Sequence, residues 1–239
     1  MANLPAGVEI TWLGHSTFLV VTPAGKRLLI DPWVMNNPAC PDELKDPGPL
    51  DAILITHGHF DHIDDAVELG RSSAAEMVSI AETSWWLSSK GLENLVEFNK
   101  GGTVEVAGCR IHMTHAVHSC GIKDGDRIVY GGEAAGYVLE LEDGFKLYHA
   151  GDTAVFSDMA LIGQLLEPDI ALLPIGDHYT MGPTSAAQAI RLLGVKTVIP
   201  MHFGTFPILT GRPDQLREHA SDVKGLEVVD LEPGGTLSG

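Results

Sequence analysis

Apolar stretches of strand length, each closed by Gly, Pro or Asp, recur along the chain and predict its architecture before any single residue does. Alternation over residues 8–13 and 17–22, with Gly14 and His15 between them, predicts two strands around a tight turn. Residues 27–30 continue as a third strand that ends at Asp31-Pro32, and the apolar run 50–55 reads as a buried strand running into a polar cluster. Residues 36–50, rich in Pro, Asp and Asn, are expected to form a loop overhanging a site, with Trp33 and Met35 as an apolar wall beside it. Helical patterns follow at 64–70 and 82–90, the latter capped by Gly91, around an extended segment at 76–81. Trp85 and Trp86, adjacent in that second helix, read as core and flank. Strands are predicted at 103–106, 110–117, 135–141, 145–150, 169–175 and 196–201. Helices are predicted at 156–166 and at 183–193, where Pro183 opens the helix and Gly194 follows its end. Both halves are strand-rich with helices interspersed and no short repeat, which predicts two packed sheets covered by helices.

No Ser/Gly-rich or charge-rich linker divides the 239 residues, so a single domain over 1–239 is expected. Apolar runs such as 170–175 are far shorter than a bilayer span, and residues 1–8 lack a basic segment followed by an apolar core. The expectation is a soluble, cytoplasmic protein. Cys40, Cys109 and Cys120 form an odd set without metal-ligand spacing, which fits a reducing compartment, although a Cys109–Cys120 bond stays open. The net charge of −17, with no cluster of Lys or Arg, argues against nucleic acids and anionic membranes as partners. A small molecule, anionic or phosphorylated, is the expected partner, and a homo-oligomer is left open. Bound cations would offset part of the acidic excess.

The candidate chemistry concentrates where the apolar run 50–55 ends. His57-Gly58-His59-Phe60-Asp61-His62 sets four potential metal ligands within six residues. Imidazoles and a carboxylate suit zinc, and also manganese, iron or nickel. Three more candidates follow apolar strands in the same way: His118, Asp152 and His202. Strand ends that converge collect such residues into one pocket. His112 and His115 compete with His118, which is preferred because it stands at the strand's end.

These residues, with Gly14-His15-Ser16, Leu29-Ile30-Asp31-Pro32, Tyr148-His149-Ala150-Gly151-Asp152-Thr153, Thr180-Met181-Gly182-Pro183 and Pro200-Met201-His202-Phe203-Gly204-Thr205-Phe206-Pro207, span nearly the whole chain. They resemble the metallo-β-lactamase superfamily, in particular its little-characterised bacterial metal-dependent hydrolases related to the ascorbate-6-phosphate lactonases. The resemblance implies an α/β (α+β) fold, a four-layer αββα sandwich of two mixed β-sheets flanked by helices. It implies two divalent metal ions, zinc first: one held by His57, His59 and His118, the other by Asp61, His62 and His202, with Asp152 bridging. It further implies a hydrolase in which a hydroxide shared by the metals cleaves a small ester, lactone or phosphoester, with Asp61 and Asp152 in the catalytic centre. The family usually has a second Ser after His118-Ser119, where this chain has Cys120, which reads as a buried side chain more readily than as a ligand.

Other residues carry two readings. His15 reads as a substrate or ligand contact, or as a hydrogen-bonded structural histidine. His178 reads as an oxyanion stabiliser or proton donor, or as a surface loop residue, with Thr180, Met181 and Gly182 beside it at the mouth. Asp31 is expected to accept a hydrogen bond from a metal-bound imidazole. His149 reads as buried structure. The rival functions are an iron-dependent redox enzyme on the same fold, against which His59 speaks mildly, and a non-catalytic metal-binding protein.

Overall fold

The computed structural model of the protein describes residues 4–239. The first sheet is built from β1 (Glu9–Trp12), β2 (Phe18–Val21), β3 (Arg27–Ile30), β4 (Ala52–Leu54), β5 (Glu76–Ile80) and β6 (Leu95–Phe98). The second begins with β7 (Thr103–Val106) and β8 (Cys109–His115), and the hairpin β9 (Gly121–Asp124) and β10 (Arg127–Tyr130) then stands apart. β11 (Ala135–Glu140), β12 (Lys146–His149), β13 (Ile170–Pro174), β14 (Thr197–Met201) and β15 (Glu227–Val228) complete the second sheet, and β16 (Thr236–Ser238) returns to the edge of the first.

The two sheets run in the orders β16-β1-β2-β3-β4-β5-β6 and β7-β8-β11-β12-β13-β14-β15. Each has three antiparallel pairings followed by three parallel ones. The chain therefore builds the same sheet twice, a repeat of topology that leaves no repeat in sequence.

Alternation along the buried strands explains the layers. In β3 and β4, Leu28, Ile30, Ala52 and Leu54 face the second sheet, while Leu29 and Ile53 face the outer helices. In β13, Ile170 and Leu172 face the first sheet, and Ala171 and Leu173 face helices on the other side. Each strand is apolar on both faces, which is why these segments read as unbroken apolar runs. The helices are α1 (Phe60–Ile63), α2 (Ala66–Ser72), α3 (Ala81–Ser89), α4 (Met159–Leu166), α5 (Pro183–Leu193) and α6 (Pro213–His219). α2 and α3 cover the first sheet, and α4, α5 and α6 cover the second, giving the expected αββα sandwich. No helix among the described residues is long and apolar enough to cross a membrane.

Several expectations are revised. The helix expected over 64–70 begins earlier, as α1, and resumes as α2, because the ligand cluster itself starts the helix. The loop 36–50 does not overhang the site; Cys40, Leu44 and Leu50 pack it against the outer face of the first sheet. Trp85 is exposed rather than core, whereas Trp86 is partly buried. β6, the β9–β10 hairpin, α6, β15 and β16 were not anticipated. Cys40, Cys109 and Cys120 are all free thiols, so no Cys109–Cys120 bond forms.

Candidate metal centre

Strands of both sheets deliver the candidate ligands past their carboxyl ends: His57 after β4, His118 after β8, Asp152 after β12 and His202 after β14. Past β4 the backbone stays extended through His59 and then turns into α1 at Phe60. His57 and His59, two apart on extended chain, point one way, and the first helical turn swings Asp61 and His62 another. The ligand atoms of His57, His59 and His118 lie within 4.8 Å of one another, and so do those of His15, Asp61, His62 and His202.

Asp152, just past β12, stands between these groups. Its Oδ2 is 3.0 Å from His202 Nε2 and 3.3 Å from His62 Nε2, and 3.6 Å from His118 Nε2 and 3.9 Å from His57 Nε2. Thr153 ties this loop to the one carrying His118: its hydroxyl accepts from the Val117 N–H at 3.0 Å, and the Val117 carbonyl accepts from the Ala154 N–H at 3.1 Å.

A shell of polar contacts aims the imidazoles. Asp31 is fully buried, and its Oδ2 accepts from His62 Nδ1 at 2.7 Å and from the Thr56 hydroxyl at 2.8 Å. The Thr56 oxygen, its proton committed to Asp31, accepts from His57 Nδ1 at 3.0 Å. One carboxylate thus sets the tautomer of an imidazole in each group and leaves both Nε2 lone pairs facing the centre. His15 works on the far side. Its Nε2–H donates to Asp61 Oδ2 at 2.9 Å and its Nδ1 accepts from the Thr205 hydroxyl at 3.0 Å. Both ring nitrogens are engaged, so His15 positions the Asp61 carboxylate.

The backbone is strained here. Among the described residues seven other than Gly have positive φ, and five are His15, Asp31, Asp177, His178 and His202. His202 is pinned by its N–H to the His15 carbonyl at 2.8 Å, and Gly176 lies so close that a Cβ there would sit 1.9 Å from the His202 carbonyl oxygen.

The remaining histidines sort by contact. His112 binds Thr103 at 2.8 Å, and His115 binds Lys100 at 3.0 Å and packs against Phe156, so neither joins the centre. Buried His149 donates to the Ser16 carbonyl at 2.9 Å and is structural. His178 is not brought into the site: its ring is exposed and stacks edge-on with Tyr179, which lines the cavity in its place. Thr180, Met181 and Gly182 do not line the cavity either, and Met181 is packed in the core under the helices. Cys120 is no ligand. Its thiol donates to the Gly131 carbonyl at 3.2 Å and accepts from the Gly58 N–H at 3.3 Å, tying the ligand loop to the hairpin.

The chain matches the beta-lactamase superfamily domain over residues 26–203, a span that begins after His15 and takes in every other ligand candidate. A metal-dependent hydrolase of Koribacter versatilis is 56% identical over 97% of this chain and 98% of its own length. The one from Roseiflexus castenholzii is 52% identical over 100% of both chains. The chain belongs to the UPF0173 family of metal-dependent hydrolases. Among solved structures, a metallo hydrolase from the hyperthermophilic archaeon Ignicoccus hospitalis superposes on this UPF0173 chain with a TM-score of 0.85 at 36% identity, covering 96% of this chain and 97% of that one.

The donor set of this UPF0173 protein fits metal ions on its own geometry. His62 Nε2, His202 Nε2, His202 Nδ1 and Asp152 Oδ1 are buried atoms without a hydrogen-bond partner, and the two Nε2 atoms are among those that converge on Asp152. Burial pushes the pKa of His57, His59 and His118 down, and neighbouring imidazoles add to this, so these rings are neutral and carry free lone pairs. Burial lowers the His15 pKa to about 4, which fits its neutral tautomer. Burial opposes ionisation of Asp61 and Asp152, but His62 and His15 hold the first and His202 and His62 the second well below the usual carboxylate range. Burial would also discharge His62, yet Asp152, Asp31 and Asp61 together hold it well above its ordinary value. In that position a cation can replace the proton.

A cavity of about 650 Å³ opens over the centre, with His59, Asp61, His118, Asp152 and His202 in its wall. Concavities elsewhere, beside Glu140 and Glu142 and beside His112 and Phe156, do not touch this cluster.

Proposed function

We propose that the protein is a binuclear, zinc-type hydrolase that cleaves a small ester, lactone or phosphoester. The observation that carries the reading is the single Asp152 oxygen lying within 3.9 Å of an Nε2 from each of four histidines, two in each ligand group. His57, His59 and His118 would hold one ion and Asp61, His62 and His202 a second, with Asp152 in reach of both groups. When bound, two dications supply Lewis acidity and ionise water near neutral pH.

The chain's own residues do the rest. Asp61, kept ionised and held in place by the His15 N–H, stands in the cavity wall, where it would bind metal and orient the attacking water as a hydrogen-bond acceptor. Tyr179 and Ser119 bring hydroxyls to the same cavity, where they orient the reacting carbonyl or phosphoryl group. No Ser, Cys or Lys nucleophile is required.

The test is elemental analysis of the purified protein, with ester, lactone and phosphodiester panels run on the metal found. Asp152→Ala and His202→Ala should each lower metal content and hydrolysis together. Unchanged metal and unchanged turnover in both variants would refute the mechanism, and a mononuclear iron centre that consumes oxygen would establish redox chemistry instead.

A further inference from the structure

The β9–β10 hairpin, joined to neither sheet, places one cation in the cavity. Gly121, Lys123 and Ile128 line it, whereas Ile122 and Val129 pack on the opposite face against the outer core of the first sheet. Lys123 and Ile128 are cross-strand partners, so they stand side by side on the cavity face. The base of the hairpin is clamped to the ligand loop. Besides the two Cys120 contacts, the Gly131 N–H donates to the Cys120 carbonyl at 3.0 Å, and Ile122 packs so tightly on Gly58 that no Cβ would fit there. Lys123 is therefore held at a set distance from His57 and His59.

Lys123 is the one Lys or Arg among the described residues of the cavity wall, and no described carboxylate pairs with it, whereas eight of the fifteen Lys and Arg are in ion pairs. Away from the histidines and carboxylates the mouth carries large apolar side chains. Phe60, Ile128, Tyr179 and Ile208 are four of the nine exposed large apolar residues among those described, and all four meet at this mouth. Such a concentration of exposed apolar surface marks a binding site.

We infer that Lys123 is a specificity residue that binds an anionic group on the substrate away from the scissile bond, while Phe60, Ile128, Phe206 and Ile208 take an apolar body. The substrate class is thus an apolar ester or lactone carrying a carboxylate or phosphate tail. The inference rests on the hydrolase reading only for the scissile bond; the anion site itself is tested by binding.

Calorimetric titration of the metal-loaded protein with phenylbutyrate and with its neutral amide gives the first readout. An exposed to half-buried ion pair contributes up to about 1 kcal/mol, about fivefold in affinity. Lys123→Met should weaken phenylbutyrate by about fivefold relative to the amide, and Lys123→Arg should restore it; carboxylate binding to the metals is common to all three proteins and cancels. Nitrophenyl hexanoate and nitrophenyl hydrogen adipate, alike in length but neutral and anionic, supply the second readout as a ratio of KM values that K123M should shift by the same factor. Equal phenylbutyrate affinity in wild type and K123M, or none in the wild type, overturns the anion site. A Lys123-dependent affinity in a protein that hydrolyses neither these esters nor the lactone and phosphodiester panels leaves the anion site standing and refutes the hydrolase reading.

Discussion

Replacing Asp31 by Asn changes no volume and removes no contact atom, yet it should disable both halves of the centre. The Thr56 backbone N–H, 2.8 Å from Asp31 Oδ1, is a fixed donor, so the amide oxygen must keep that place. The new NH2 group then faces His62 Nδ1 and the Thr56 hydroxyl, where the carboxylate accepted at 2.7 Å and 2.8 Å. His62 must become an acceptor at Nδ1, which moves its proton to Nε2 and into the centre. The Thr56 hydroxyl, now accepting from the amide, turns its proton toward His57 Nδ1 and forces the same exchange there. Loss of a supporting contact of this kind costs roughly 10- to 100-fold in metal affinity, equivalent to about 1.4–2.7 kcal/mol. Because the substitution reaches one imidazole of each group, both ions should weaken. The assay is competition against a chelator of known affinity, with metal counted by elemental analysis and the metal-free proteins compared by thermal unfolding. D31N that retains wild-type stoichiometry and affinity would refute the tautomer argument. Weakening of one ion alone would refute the relay through Thr56.

Gly58→Ala places a Cβ 2.4 Å from Ile122 Cγ1, an overlap that should cost about 1–3 kcal/mol; for a chain of this size that lowers Tm by roughly 2–4 °C per kcal/mol. In an Ile122→Ala background, where the overlapping side chain is gone, the same Gly58→Ala change should cost little further, and a G58A protein as stable as wild type would show that the hairpin is not clamped to the ligand loop. Burial raises the Cys40 thiol to about 11, the Cys109 thiol to about 12 and the Cys120 thiol above its usual value, so thiolate is scarce near neutral pH and grows only as pH rises toward those values. Ellman's reagent should therefore react slowly with the native protein at mildly alkaline pH and count three thiols after denaturation without reductant; three fast native thiols, or one after denaturation, would contradict the structure.

Local pattern carried much of this chain. The buried strands β3, β4 and β14 are largely apolar runs followed within three residues by Asp31, His57 and His202, so element and candidate ligand are legible together. His118 was separable from His112 and His115 because it lies past the strand, whereas both of the others lie within β8. The β9–β10 hairpin was not legible. Its residues 121–130 mix Gly, Asp, Lys and Tyr without clear alternation, since one face packs on core and the other lines an open cavity. β15 and β16 are two and three residues long, too short for any period to show.

His15 and His178 show the limit most clearly. Both follow Gly or Asp at a turn past a strand, and their two readings stood level. One fold carried His15 into a buried contact with Asp61 and left His178 in solvent with Tyr179 turned to the cavity. The sequence by itself determined the two-sheet architecture, the family and the ligand types, because strand periodicity and ligand spacing are local. Only the tertiary structure decided that Asp152 stands between two groups, that Asp31 orients one imidazole in each, and that Lys123 enters the cavity. Those facts depend on distances between strands far apart in sequence, which no local pattern encodes.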